Sequence, residues 1–218
     1  MSLDITNPVL NAAGCGGTGR ELAAVGVLDS LGAFVTRSIT RDAREGAPPP
    51  RLVESPAGFI NAIGLQNPGI DTFLTRELPW LAAQQVRTIV SIAGSSLGEY
   101  ADLSRRLATA PGVDGIEVNL SIPDAADQGL LDVREPFQAG RVVAAVRRDL
   151  PRHIPVLVKL GPDPTRIVES ARAAVEAGAF ALVLVNAAPA LMPDGRPGGL
   201  SGPAIRPLAL RCVHDVHR

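Results

Sequence analysis

The chain has little to tie it to nucleic acid, membrane or metal. Its 218 residues carry 21 Lys and Arg against 22 Asp and Glu, a formal net charge of −1, so the basic footprint that phosphate backbones select is missing. A small neutral or anionic ligand suits this balance better. No run approaches the roughly 18 consecutive apolar residues of a membrane helix. The opening MSLDITNPVL has neither a basic leader nor a signal-type apolar core, and the protein reads as cytoplasmic. The two cysteines, Cys15 and Cys212, stand far apart and outside any CxxC. That supports neither a disulfide framework nor a zinc site, and both read as ordinary small residues. The glycine-rich opening NAAGCGGTG lacks GxGxxG spacing between strand and helix, and no GxxxxGK[ST] occurs, which excludes a Rossmann fingerprint and a P-loop. Its 22 Gly and 19 Pro are scattered rather than gathered into a linker, as expected of one loop-rich globular unit over residues 1–218.

What is present is a repeated pattern. Four short apolar runs each end on a polar residue: AFVTR on Arg37, GIEVN on Asn119, PVLVK on Lys159 and ALVLVN on Asn186. Buried parallel strands delivering side chains to a C-terminal rim read this way, which predicts an α/β fold of the TIM (β/α)8 type.

The pattern orders the rest of the chain. A helix is expected from Arg20 through ELAAVGVLDSL to Gly32, then a strand over 33–36. Residues 38–69 form a proline- and glycine-rich excursion, a candidate binding loop or lid. Helix is predicted over 71–85, strand at TIVSIAG, and an amphipathic helix in EYADLSRRLATA capped by Ser95 or Ser96. Strict β-α alternation follows through GIEVN, REPFQAGRVVAAVRRDL, PVLVK, PTRIVESARAAVEAG and ALVLVN. The segment RPGGLSG reads as a loop and PAIRPLALRCVHDVHR as a helix. That makes about five of the eight strands a closed barrel needs, so either the chain is a fragment or an oligomer supplies the closure.

Lys159 at a strand end offers an ammonium to the barrel mouth, where it can offset negative charge on a ring or phosphate. Asn119 and Asn186 pair donors with acceptors, suited to an amide or imide edge. The loop FINAIGLQNPG adds Asn61 and Asn67 with Gly64 and Gly69, letting backbone approach a flat ligand. His214 and His217, near Cys212, read as a solvated helix end rather than a metal site, and no metal is expected. Asp102, Asp114 and Glu117 read as surface or strand-flanking charges.

NPVLNAAG, FVTRSIT, REGAPPPR, ESPAGFINAIGLQNPG, SIAGSS, PGVDGIEVNLSIP, VKLGP and GGLSGPAIRPLALR occur in that order across the chain. Together they resemble the class 1 dihydroorotate dehydrogenases, specifically the catalytic subunit of the form that passes electrons to an iron-sulfur flavoprotein. The resemblance implies an FMN-dependent oxidoreductase that converts dihydroorotate to orotate in de novo pyrimidine biosynthesis, with a possible homodimer and an iron-sulfur/FAD electron-transfer subunit as partners. Carried over by position, it implies FMN contacts at Ala13, Arg37, Ser38 and Asn119, and also at Lys159, Val185 and Gly202. Substrate is implied at Asn61, Ala62, Ile63, Gly64 and Leu65, with Arg37, Asn119 and Asn186 also facing it.

The departures matter too. Ile122 stands where this class has its catalytic cysteine and Asp124 where it has asparagine. Arg37 replaces a lysine, Ser91 an asparagine, and Ala187 a hydroxyl residue. No catalytic residue is therefore assigned, since Ile122 cannot take a proton, and a neighbouring serine, Ser121, is the one substitute to weigh. The glycine-rich loops that hold FMN phosphate in the family would follow the last strand seen here. A noncatalytic or substrate-divergent paralogue that keeps a pyrimidine- or flavin-binding surface is the alternative.

Overall fold

A computed structural model describes residues 3–122, 125, 128–133 and 135–218. Five parallel strands form its centre: β1 (Phe34–Val35), β4 (Thr88–Ile92), β5 (Gly115–Asn119), β6 (Val156–Leu160) and β7 (Ala181–Leu184), hydrogen-bonded in that order. Four more strands, β2 (Leu52–Ser55), β3 (Gly58–Asn61), β8 (Ala188–Leu191) and β9 (Pro197–Ser201), make an antiparallel sheet in the order β2-β3-β9-β8. Around them lie α1 (Arg20–Ala24), α2 (Gly69–Thr72), α3 (Leu78–Ala83), α4 (Leu97–Ala108), α5 (Pro136–Asp149), α6 (Ile167–Glu176) and α7 (Arg206–His217). The parallel sheet flanked by helices is a partial (β/α) barrel.

Helices form on the parallel sheet because each has one apolar stripe. In α4 the buried residues Tyr100, Leu103, Ser104 and Leu107 recur at helical spacing, and in α5 Ala139, Val142, Val143 and Val146 do the same. They join Ile116, Val118, Val156 and Val158 in one core. Burying each such aliphatic side chain contributes about 1.5–3 kcal/mol. Of the two serines expected to cap α4, Ser96 does so, its Oγ accepting from the Glu99 N–H at 3.2 Å. The Glu99 carboxylate reaches back to the Ser95 N–H at 2.7 Å, a variant of the capping box shifted by one residue.

Three local expectations change. The helix expected from Arg20 to Gly32 stops at Ala24, because Gly26 turns left-handed at φ 69°, and a 3₁₀ turn over Leu28–Ser30 follows. The expected 71–85 helix starts at Gly69 and ends at Ala83, with a π-helical turn over Phe73–Glu77 between α2 and α3. Most consequentially, the 38–69 excursion is not all loop and RPGGLSG is a strand. The excursion folds into the β2–β3 hairpin, and β3 pairs with β9, with Phe59 opposite Ser201 and Asn61 opposite Gly199. A Cβ at Gly58 would sit 1.8 Å from the Ser201 carbonyl oxygen, so the absence of a side chain there is what lets the strands approach.

Candidate functional site

Between the C-terminal ends of the parallel strands and the antiparallel sheet lies a cleft of about 1250 Å³. Arg37, Asn119, Lys159 and Asn186, the four strand-end residues, all line it. So do Ala13, Ser38 and Val185 from the expected cofactor set, and Asn61, Ala62, Ile63, Gly64 and Leu65 from the expected substrate set. Gly202 is placed outside the lining, exposed at the start of the 3₁₀ turn Pro203–Ile205. Asn67 is structural: its Oδ1 accepts from the Thr40 and Gly69 N–H groups at 3.1 and 2.9 Å, fixing the turn beneath the cleft loop.

The polar wall is a connected network. Ser91 Oγ donates to Glu117 Oε1 at 3.1 Å, and Ser38 Oγ lies 3.0 Å from Ser91 Oγ. Asn119 Nδ2 donates to Ser38 Oγ at 3.0 Å, while its Oδ1 accepts from the Ser121 N–H at 3.1 Å and the Ser121 hydroxyl at 2.9 Å. Asn186 Nδ2 donates to Ser121 Oγ at 2.8 Å, and its Oδ1 accepts from the Ala187 N–H at 2.8 Å. These backbone donors fix both amides, so Asn119 turns its remaining N–H, and Asn186 a carbonyl lone pair, to any further partner.

Glu117 is a correction to the sequence reading, which placed it among surface or strand-flanking charges. It is only 2% exposed and lines the cleft. Burial holds its carboxyl above the usual carboxylate range, against the opposing pull of the Lys159 charge and the Ser91 hydrogen bond. Its position two residues before Asn119 puts both side chains on one face of β5, which was the available signal. Asp114 does flank a strand, accepting from the Thr88 N–H at 2.9 Å and pairing with Arg87 at 2.8 Å, and Asp102 pairs with Arg105 on the surface.

Sequence reasoning also passed over three arginines. Arg44, Arg51 and Arg196 join Arg37 in the lining. Each is tied to backbone: Arg37 to the Gln66 carbonyl at 2.9 Å, Arg44 to that of Gln128 at 2.9 Å, Arg51 to that of Glu45 at 3.1 Å, and Arg196 to those of Pro48 and Pro50, both at 2.7 Å. Among the described residues the buried Nε atoms of Arg37 and Arg44 have no hydrogen-bond partner, which leaves donor capacity for an anionic or carbonyl-bearing ligand.

Ile122 is 5% exposed and packs with Ala93, Ala125, Leu130 and Leu65, an apolar corner of the cleft, and its own side chain accepts no proton. Asp124 lies outside the described residues. Among the described residues no group of three or more His, Cys, Asp or Glu could hold a metal. His214 pairs with Asp215 at 3.1 Å on the exposed side of α7, and Cys212 is buried while Cys15 is exposed at the cleft.

A model of the dihydroorotate dehydrogenase family matches residues 1–218. The chain belongs to the dihydroorotate dehydrogenase family. It is 44% identical over 225 residues to the catalytic subunit of dihydroorotate dehydrogenase B (NAD(+)) from Pelobacter propionicus, covering 99% of this chain and 73% of that one. The corresponding subunit from Desulforudis audaxviator is 45% identical over 225 residues, with the same coverage. That from Anoxybacillus flavithermus is 42% identical over 223 residues, covering 98% and 71%. The cleft gathers the strand-end side chains, and His214 and His217 lie outside its lining on α7.

Proposed function

We propose that this chain oxidises dihydroorotate to orotate, the redox step of de novo pyrimidine biosynthesis, with FMN as its resident cofactor. The observation that carries the reading is that a chain of this family brings Arg37, Asn119, Lys159, Asn186 and the 61–65 loop into one cleft. The residues present fit a flavin. The cleft volume suits a tricyclic ring, buried Lys159 supplies a cation, and the unpartnered Nε of Arg37 needs an acceptor. Ala13, Ser38, Asn119, Lys159 and Val185 would hold it, with Gly202 at the rim. Bound FMN supplies a two-electron acceptor.

The rest falls to the protein. Asn61 is pinned by donating to the Gly199 carbonyl at 2.9 Å, which leaves its Oδ1 for a ring N–H. Asn119 offers a donor and Asn186 an acceptor, a match for adjacent carbonyl and N–H groups of a pyrimidine edge. Arg37 takes the substrate carboxylate. Lys159 would offset negative charge on the electron-accepting side of the site. The β2–β3 hairpin and β9 line one side of the cleft.

One observation favours the second reading, a paralogue that binds but turns over poorly or acts on another ring. Oxidation of dihydroorotate removes a proton as well as a hydride, and Ile122 takes none. The Ser121 hydroxyl is already donated to Asn119 and accepts from Asn186, so it is committed to the network.

Purified protein decides between them. Bound flavin absorbance, bleached when dihydroorotate is added without oxygen, supports the first reading. Flavin that stays oxidised, with orotate binding retained in calorimetry, supports the second. A colourless protein that binds neither FMN nor orotate rejects both. The partners follow the same reading: an iron-sulfur/FAD subunit as electron acceptor, and a homodimer. No helix among the described residues is long and apolar enough to cross a membrane, in keeping with a cytoplasmic site of action.

A further inference from the structure

With Glu117 ionised, the hydrogen-bond chain in the cleft wall runs one way. Ser91 has a single hydroxyl hydrogen, and it is committed to Glu117 Oε1 at 3.1 Å. The 3.0 Å contact between Ser38 and Ser91 is therefore donated by Ser38. Asn119 Nδ2 in turn donates to Ser38 at 3.0 Å. Strand register enforces the order, since Ser91 on β4 lies directly opposite Glu117 on β5. Ser38 and Glu117 are 5% and 2% exposed, and both line the cleft.

With Glu117 ionised, Ser38 has spent its hydrogen on Ser91 and keeps a lone pair for a ligand. With Glu117 protonated, every sense reverses. The carboxyl donates to Ser91, Ser91 donates to Ser38, and the Ser38 hydrogen is released toward the cleft. Both states are within reach of the site: burial favours the neutral carboxyl, while Lys159 and Ser91 favour the anion. The groups facing Glu117 are Lys159 from β6, Ser91 from β4 and, through Ser91, Ser38 from the segment after β1; of these Lys159 alone is charged.

We propose that Glu117 is a positioning residue that, acting through Ser91, sets whether Ser38 presents a hydrogen-bond acceptor or a donor to the ligand in the cleft. The ligand this suits is a planar heterocycle with an edge atom that is an acceptor when oxidised and carries hydrogen when reduced; this part rests on the flavin reading. The oxidised edge selects the Ser38 donor and a protonated Glu117. Were a bound ring of this kind to be reduced, one proton would pass from Glu117 to Ser91, another from Ser91 to Ser38, and a third from Ser38 to the edge atom. Each serine loses one O–H bond and gains one, and Glu117 ends as a carboxylate beside Lys159.

Two measurements test this. The first needs no cofactor: infrared titration of the full chain, following the carboxylic acid carbonyl band that Glu117→Gln removes. Ser91→Ala and Ser38→Ala are both expected to move its midpoint upward, since each removes donation that stabilises the anion, and Ser91→Thr is expected to restore it. A midpoint that ignores Ser38→Ala overturns the relay. The second is calorimetry of FMN binding above that midpoint, in two buffers of different ionisation enthalpy. Proton uptake is expected in the wild type and its loss in Ser91→Ala and Glu117→Gln, with FMN still bound. Uptake that survives in either variant, or none in the wild type, also overturns the proposal. If no form binds FMN, the flavin reading fails and the infrared result alone decides the relay.

Discussion

Strands β5 and β7 share a pattern, a short apolar run leading to an asparagine, and end in different surroundings. All five residues of β5 are buried between β4 and β6, whereas all four of β7 are half-buried, with β6 its one parallel neighbour among the described residues. The difference teaches that a buried-strand pattern fixes conformation, while the neighbours decide what the strand can carry. With partners on both sides, β5 holds a carboxylate in the core: Ser91 sits opposite Glu117 and Lys159 opposite Asn119. β7 carries no charge, and Asn186 beyond its end takes its orientation from the Ala187 N–H and from Ser121, on the loop after β5. The site is organised from β5, and β7 follows it.

The largest expected effect tests whether chemistry as well as order resides on the β5 side. Ile122→Cys is expected to raise dihydroorotate-dependent flavin reduction by about 100-fold to 10,000-fold, the usual contribution of a positioned base. The counterpart after β7, Ala187→Ser, is expected to gain no more than about tenfold, the value of a neutral hydrogen bond. Stopped-flow reduction of both variants checks this, and equal gains would break the contrast.

Stability should divide the same way. Ile116→Ala in β5 is expected to cost about 2–5 kcal/mol in denaturant unfolding, and Leu182→Ala in half-buried β7 less than about 2 kcal/mol. Comparable losses would mean that β7 is covered in solution.

Glu117 adds a pH signature that β7 cannot have. Because burial holds its folded pKa above the ordinary 4.5, its contribution to folding is fully present below that value and is lost as pH rises through the raised one. Thermal unfolding should therefore find Glu117→Gln more stable than wild type at alkaline pH, with the gain vanishing in acid. The smallest effect is expected from Tyr100→Phe. Burial pushes the Tyr100 phenol up to about 12, and its hydroxyl donates to the Asn119 carbonyl at 3.2 Å, tying α4 to the end of β5. Losing that bond should cost about 0.5–1.5 kcal/mol, measured by denaturant unfolding.

The parallel strands and their helices were legible because periodicity of two and of 3.6 is a local property of the chain. The antiparallel sheet was not. Gly58, Gly198 and Gly199 read as loop residues, and only contact between segments some 140 positions apart, as in the pairing of Asn61 with Gly199, makes them strand. The strand-end residues could be picked out because a polar residue closing an apolar run is conspicuous. Glu117 escaped because it sits inside its run, and one carboxylate among apolar neighbours gives no hint of the Ser91 that will face it.

By itself the sequence determined the β-α alternation, the family, and which side chains stand at the strand ends, because hydrophobic period and motif order are written along the chain. The tertiary structure alone decided that Glu117 is buried beside Lys159, that Ser38, Ser91, Asn119, Ser121 and Asn186 form one network, and that a second sheet lines one side of the cleft. Those depend on register between strands distant in sequence, where a shift of one residue turns every side chain to the opposite face.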